Sequence, residues 1–137
     1  MTSTNFASHL LFSAALLMLT GCGLTGPAHD APSPTAAAVV DMGFTSFEPE
    51  MVHIHAGQTV QWRNTALITH SVTDDKSVAE DPNDASIPAG ATAFKSGDIP
   101  AGEVYSTSFT VPGTYKYFCT HHEGDGMVAT VIVDPAS

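Results

Sequence analysis

The chain has 137 residues, 14 of them acidic and 4 of them Lys or Arg, and its formal net charge at pH 7 is −10. This length allows one compact domain with a short leader or tail, and it excludes two cores of ordinary size. The acidity argues against binding nucleic acid or an anionic bilayer by simple charge attraction. It is compatible with a basic protein partner, and equally with a role in solubility alone.

An apolar run at residues 9–20 is too short to span a bilayer and has the length of a signal-peptide core. Residues 1–8 contain no Lys or Arg, although secretory signals normally begin with positive charge. The run ends in Leu-Thr-Gly-Cys at residues 19–22, which resembles the lipobox of bacterial lipoproteins. The resemblance implies that residues 1–21 are a signal peptide and that Cys22 becomes a lipid-modified N-terminus. The alternative interpretation is a buried N-terminal helix with an incidental cysteine.

Residues 22–37 are rich in Gly, Pro, Ala, Ser and Thr. A segment of this composition cannot bury enough apolar surface to offset the entropy lost on ordering. We therefore predict a flexible linker between a lipid anchor and a folded domain at residues 38–137. The anchor would hold that domain at the cell envelope, in the periplasm or an equivalent extracytoplasmic space.

From residue 38 onward, short runs of β-branched and aromatic residues are separated by turn signals, a pattern typical of strands. Val60 and Trp62 alternate with Gln61 and Arg63, as expected when successive side chains point to opposite faces. The predicted strands are residues 39–42, 51–55, 59–64, 69–73, 104–111, 114–118 and 127–133. Seven or eight strands in about a hundred residues predict an all-β fold, a two-sheet antiparallel Greek-key β-sandwich. A small barrel is the alternative.

A long polar connection at residues 74–92 interrupts the strand pattern, and nearly all its charges are acidic. Its charged side chains are Asp74, Asp75, Glu80, Asp81, Asp84 and, as the single cation, Lys76. We interpret it as a solvated loop, since long polar loops need no partner to be soluble. The alternative is that its acidic part, residues 74–84, is a docking patch.

Candidate metal ligands cluster in residues 117–127, namely Cys119, His121, His122 and Met127. If Cys22 is lipidated, Cys119 has no disulfide partner in an oxidising compartment, so burial or a metal must protect its thiol. A thiolate, imidazoles and a thioether form a soft, mixed donor set that suits copper. Zinc would normally recruit more cysteines and has little use for methionine.

The donor set needs a second nitrogen ligand from a neighbouring strand, and His70, just after a polar turn, is the best placed. His121 competes with His122, and the spacing from Cys119 favours His122. His53 and His55 lie two apart on one predicted strand and share a face, an arrangement that can also bind metal. Because no carboxylate or third histidine stands beside them, we interpret them as partly exposed strand residues.

At these residues the chain resembles the cupredoxin family of small blue-copper proteins. The spacing Cys119-x-x-His122-x-x-x-x-Met127 is similar to that of the plastocyanin group, and the resemblance extends over residues 39–133. Two features depart from it: Ser71 stands where Asn is common, and Thr-His at residues 120–121 replaces a Ser-Pro type sequence.

The resemblance implies one type 1 copper per chain. It implies that His70 and His122 bind through imidazole nitrogen, that Cys119 binds as thiolate, and that Met127 is a long axial contact. Ser71 and backbone N–H groups near Cys119 are the candidates for tuning the potential from outside the ligand set.

The function implied by the resemblance is transport of single electrons through Cu(II)/Cu(I) at the cell envelope, without enzyme activity. We expect a monomer that exchanges electrons with a donor and an acceptor protein of basic surface, such as a cytochrome or a copper enzyme, and binds no nucleic acid. One alternative is a copper-binding or copper-delivery protein of the same fold. Another is a small copper oxidase or reductase, which would need a second copper with an open position.

Overall fold

The computed structural model describes residues 35–137, which form seven strands and two short 3-10 helices. The strands are β1 (Ala36–Met42), β2 (Phe47–Glu48), β3 (Met51–His55), β4 (Thr59–Asn64), β5 (Val104–Ser108), β6 (Gly113–Phe118) and β7 (Val128–Asp134). They build two sheets, of order β2-β1-β4-β5 and β3-β7-β6, so the predicted β-sandwich is confirmed. In residues 35–137 no helix is long and apolar enough to cross a membrane.

The two N-terminal segments predicted from sequence fall almost wholly outside the described residues. The predicted signal peptide at 1–21 and the lipidation site Cys22 lie outside them, and so does all but the end of the predicted linker at 22–37. Strand β1 begins at Ala36, two residues before the predicted domain start at residue 38.

Both sheets are mixed, whereas the sequence pattern predicted antiparallel ones. The parallel pairs are β1 with β4 and β3 with β7, and the other pairs are antiparallel. Alternation along a strand indicates which side chains face the core, but it does not indicate which strand lies alongside. The parallel run of β1 and β4 brings their ends, Met42 and Asn64, to the same end of the sandwich.

The core lies between the sheets and is dominated by aromatic rings. Trp62 and Tyr117 are fully buried and meet edge-on with ring centroids 5.4 Å apart, and Phe94 packs 5.7 Å from Trp62. Buried aromatic pairs contribute about 0.5–1.5 kcal/mol beyond the area that they bury. This cluster fills the body of the sandwich beneath the end where β1 and β4 finish.

The predicted strand at residues 69–73 was wrong. Only isolated bridges form there: His70 pairs with Ile99, and Thr73 pairs with Lys95 and Phe118. Because the segment changes partner between His70 and Thr73, no ladder propagates along it. The short strand β2 was not predicted either.

The acidic connection at residues 74–92 is attached to the sandwich. Lys116 on β6 donates from Nζ to the Asn83 carbonyl at 2.7 Å and pairs with the Asp84 carboxylate at 3.0 Å. Ser86 and Lys116 also exchange backbone hydrogen bonds of 3.0 and 2.9 Å. The acidic side chains therefore stand on a loop whose backbone has a defined position.

Asp74 is a buried carboxyl at the start of this connection, with 2% of its surface exposed. Its Oδ1 accepts a hydrogen bond from the Phe94 N–H at 2.7 Å, and its Oδ2 has no hydrogen-bond partner. Burial is the main cause that raises the pKa of Asp74 to about 6. The folded state therefore disfavours the ionised form of this side chain.

We expect Asp74→Asn to make the copper-free protein more stable than wild type at pH 8 by about 1–3 kcal/mol. A carboxyl whose folded pKa lies above its unfolded value loses stability as the pH rises from about 4 through about 6. The Asn variant lacks this loss, so its advantage should shrink toward pH 5. Urea unfolding at pH 5 and pH 8 measures the difference. The neighbouring Asp75→Asn is the control, and an identical pH slope in both variants would contradict the assignment.

Candidate metal centre

The predicted ligands meet at one end of the sandwich because the connection after β4 and the connection between β6 and β7 both lie there. Cys119 directly follows β6 and Met127 directly precedes β7, and these strands are paired so that Phe118 lies opposite Val128. His70 lies six residues beyond the end of β4. His122 lies in the loop between β6 and β7, which we call the ligand loop (residues 119–127).

Three donor groups converge at this end: the Cys119 thiol and the imidazoles of His70 and His122. The Cys119 Sγ lies 3.7 Å from Nδ1 of His70 and 3.6 Å from Nδ1 of His122. One donor atom from each of the three side chains lies within 4.8 Å of the others. His70 and Cys119 are fully buried and His122 is half-buried, so the cluster reaches the surface only through His122.

Met127 is held next to this cluster by the backbone. The Cys119 N–H donates to the Met127 carbonyl at 3.1 Å, and the Met127 N–H donates to the His122 carbonyl at 3.1 Å. Its side chain is fully buried in the same apolar cluster as Cys119. Gly126, just before it, has φ +83°, a left-handed conformation that favours glycine, and so closes the ligand loop back onto β7.

His70 is held by its backbone and is desolvated. It exchanges two backbone hydrogen bonds with Ile99, of 3.1 and 2.7 Å. Burial is the main cause that lowers the pKa of His70, and the nearby His122 lowers it further. The Gly43 backbone acts in the opposite direction, although the buried Nε2 atom of His70 has no hydrogen bond of good geometry. The neutral imidazole is the form that binds metal.

Ser71 lies beside the thiol, as expected of a residue that tunes the site. Its backbone N–H donates to the Cys119 Sγ at 3.4 Å, and its hydroxyl lies 3.9 Å from the same sulfur. The hydroxyl also accepts from the Thr120 N–H at 2.9 Å. Through these bonds Ser71, the residue after His70, holds the sulfur and the start of the ligand loop.

The three other histidines of residues 35–137 stand apart from the cluster. His121 is exposed, and its Nε2 lies 2.8 Å from the Asp98 carboxylate. His53 and His55 are exposed on β3, as interpreted from sequence, but the premise that no carboxylate stands beside them is wrong, because Asp134 of β7 pairs with His55. His53 Nδ1 lies 3.9 Å from Asp134, and His55 Nδ1 contacts the Pro135 carbonyl at 2.9 Å.

Two residues that shape the site had no assigned role in the sequence analysis. Asn64 is buried and donates from Nδ2 to the carbonyls of Ile68 and Ile99 at 2.7 and 2.9 Å, while its Oδ1 accepts from the Ala66 N–H at 3.0 Å. Glu123 is a buried carboxylate inside the ligand loop. Asn64 joins nearby backbone groups to the Ile99 carbonyl, 35 residues away, so its role depends on a contact that only the fold creates.

The fold and the site together define a β-sandwich metalloprotein with a soft, largely buried donor set. A lone thiolate with two imidazoles, beside a buried thioether-bearing residue, fits copper better than zinc. The imidazole Nδ1 atoms already face the sulfur, so the donors need little movement to share one ion.

Comparisons with known proteins agree with this class. The family described as copper binding proteins, plastocyanin/azurin family, matches residues 34–134. Plastocyanin of Scenedesmus fuscus is 41% identical over 93 residues, covering 68% of this chain and 91% of that protein. Chloroplastic plastocyanin of Pisum sativum is 31% identical over 141 aligned positions, covering 97% of this chain and 81% of that protein. The crystal structure of amicyanin from Paracoccus versutus superposes with a TM-score of 0.57 at 30% identity, covering 77% and 86% of the two chains.

The chain therefore belongs to the plastocyanin/azurin family of copper-binding proteins, the cupredoxin class that the sequence resembled. Copper is its cofactor, and the donor set is typical of a type 1 centre.

Proposed function

We propose that this chain carries single electrons between protein partners at the cell envelope, with His70, Cys119, His122 and Met127 as its copper ligands. Family membership supports a cupredoxin electron carrier rather than an enzyme. The observation that carries the ligand assignment is the convergence of a buried thiol and two imidazoles within 4.8 Å. In the described residues this is the one such group of three donors, which supports a single copper per chain.

The bound copper supplies the one-electron exchange between Cu(II) and Cu(I), and the protein keeps its ligands in place through that exchange. The paired backbone of His70 and Ile99 fixes one imidazole, and the Ser71 N–H fixes the sulfur. The buried aromatic core lies beneath both. A donor set held in this way changes little between oxidation states, which favours fast electron exchange and retention of the metal.

His122 is the ligand through which we propose that electrons enter and leave, because it is the half-buried member of the cluster. Two exposed apolar side chains lie on loops that lead to the site. Leu67, with 89% of its surface exposed, precedes His70 by three residues, and Phe44, with 69% exposed, adjoins Gly43, whose backbone contacts His70. We propose that they contact the redox partner, since the buried centre of a protein interface is more apolar than its rim and is enriched in aromatic side chains.

Electron paramagnetic resonance of the oxidised, copper-loaded protein tests the proposal. We expect one copper per chain with a small copper hyperfine splitting, an intense thiolate-to-copper visible band, rapid electron self-exchange, and no turnover of nitrite or oxygen. A large hyperfine splitting without the visible band would reject the ligand assignment. A blue centre that gives copper up readily to an apo-protein and exchanges electrons slowly would favour copper delivery instead.

We propose that the partners are basic proteins that meet the acidic connection and that the chain acts as a monomer on a lipid anchor at Cys22. The net charge of −10 and the fixed position of the acidic loop support the first part. Electron exchange with a basic cytochrome should slow steeply as ionic strength rises, because salt screens exposed charges. A rate independent of salt would count against a basic partner.

Mass spectrometry of the protein purified from membranes tests for a diacylglycerol on Cys22.

A further inference from the structure

Glu123 is a buried acidic residue that the ligand assignment does not use. It immediately follows His122, and only 6% of its surface is exposed. Its two carboxylate oxygens accept separate backbone hydrogen bonds, Oε2 from Glu80 and Oε1 from Asp81, both at 2.9 Å. No cation pairs with it in the described part of the chain. Burying an ionised carboxylate is costly unless its oxygens are hydrogen-bonded, so these two amides account for its position.

The contact joins two segments that are 42 residues or more apart in sequence. On one side is the ligand loop, where Glu123 begins a short 3-10 helix between His122 and Met127. On the other is the acidic connection, which Lys116 also holds through Asp84. The Glu80 side chain lies over Gly124, since a Cβ on that glycine would stand 3.6 Å from Glu80 Oε2. The two segments therefore pack as one unit.

We propose that Glu123 is a positioning residue of the copper centre: its carboxylate clamps the ligand loop to the acidic connection, so fixing His122 and lowering the reduction potential. This rests on the proposed function, because it assumes that His122 binds the copper. The clamp uses the backbone amides of Glu80 and Asp81 and does not consume their carboxylates.

Two physical effects connect the clamp to the copper. First, His70, Ser71 and Asp98 tie the start of the ligand loop, residues 119–121, whereas in the described residues the other hydrogen bonds of the loop, apart from the clamp, run between residues 119 and 128. Loss of the clamp should widen the range of positions open to His122. Second, a buried negative charge near the metal stabilises Cu(II) more than Cu(I), and burial protects this effect from screening by salt.

The test compares Glu123→Gln and Glu123→Ala with a matched control, Asp125→Asn. Gln removes the charge and can accept only one of the two amide bonds, whereas Ala removes the whole clamp. Asp125 is exposed in the same loop, and its substitution removes an equal charge without touching the clamp. In both Glu123 variants we expect the ratio of Cu(II) affinity to Cu(I) affinity to fall about three- to tenfold. A tenfold fall raises the reduction potential by about 59 mV. We also expect a changed copper hyperfine splitting, strongest in the Ala variant.

The Asp125 control should retain the wild-type spectrum and show a smaller, salt-sensitive change in potential. If both Glu123 variants match it in potential and spectrum and lose only thermal stability, Glu123 is a structural residue and the proposal is overturned. Hydrogen exchange in the copper-free protein tests the clamp without the metal. The amides of Glu80 and Asp81 should exchange about tenfold faster in Glu123→Ala than in wild type. Unchanged exchange would refute the clamp, whereas a missing blue band in the wild type would refute only the proposed function.

Discussion

Cys119→Ser is expected to abolish the intense visible band of the oxidised protein and to convert its copper spectrum to one with a large hyperfine splitting. The band requires electron transfer from a thiolate to Cu(II), and a serine hydroxyl is a hard, neutral donor that cannot supply it. The affinity for Cu(I) should fall by at least about tenfold, because Cu(I) depends most on the soft sulfur. Visible absorption, paramagnetic resonance and competition with a Cu(I) chelator measure the three effects.

The control for this experiment is Cys22→Ser, which removes the other cysteine and should leave the blue centre unchanged. Ser71→Ala is a second control: it retains the backbone N–H that donates to the sulfur at 3.4 Å but removes the hydroxyl near it. We expect it to keep the band at a slightly shifted wavelength. Retention of the wild-type band in Cys119→Ser would show that the thiolate of the site lies elsewhere.

Asn64→Ala should destabilise the copper-free protein by about 2–4 kcal/mol. The substitution leaves the carbonyls of Ile68 and Ile99 and the N–H of Ala66 without their side-chain partner in a buried place. An unsatisfied buried backbone group costs about 1–3 kcal/mol, and part of this cost is recovered when water enters. The Ile99 carbonyl retains its bond from the His70 N–H, so the loss is less than the sum of three such groups.

The same variant should weaken copper binding, because Asn64 ties the loop before His70 to the segment that pairs with His70. Urea unfolding of the copper-free protein and copper titration separate the two effects. Asn83→Ala is the matched control, since Asn83 is exposed in a turn and its loss should change stability by less than about 0.5 kcal/mol. A wild-type copper affinity in Asn64→Ala, with stability lowered, would restrict Asn64 to a role in folding.

The local part of the metal centre was predictable from the sequence because its geometry follows from short spacings. Cys119, His122 and Met127 lie within nine residues, and a loop that joins two paired strands must bring its two ends together. His70 is 49 residues from Cys119, so its place in the cluster depended on the whole sandwich and, at the level of sequence, on the family resemblance. The structure brings it to within 3.7 Å of the sulfur.

The sheets likewise combine features that the sequence predicts with features that only the complete fold decides. Alternation predicted most of the strands, since each strand carries its own two-residue period, but on β4 it did not predict that Gln61 is buried as well as Val60 and Trp62. It did not predict that β1 pairs in parallel with β4 and β3 with β7, because strand neighbours are chosen by the packing of the complete core. The segment around His70 looked like a strand by composition, yet its residues pair singly with three different partners.

The sequence by itself determined the kind of chemistry: a lone thiol, two imidazoles and a thioether at these spacings make a soft donor set, and donor type selects the metal. Only the tertiary structure decided which groups hold those donors in place. The Glu123 carboxylate reaches amides in the acidic connection, and Asn64 reaches carbonyls on either side of His70. Side-chain bonds to backbone groups leave no clear pattern in a sequence, because every residue carries a C=O and nearly every residue an N–H, and only the folded chain selects which ones meet.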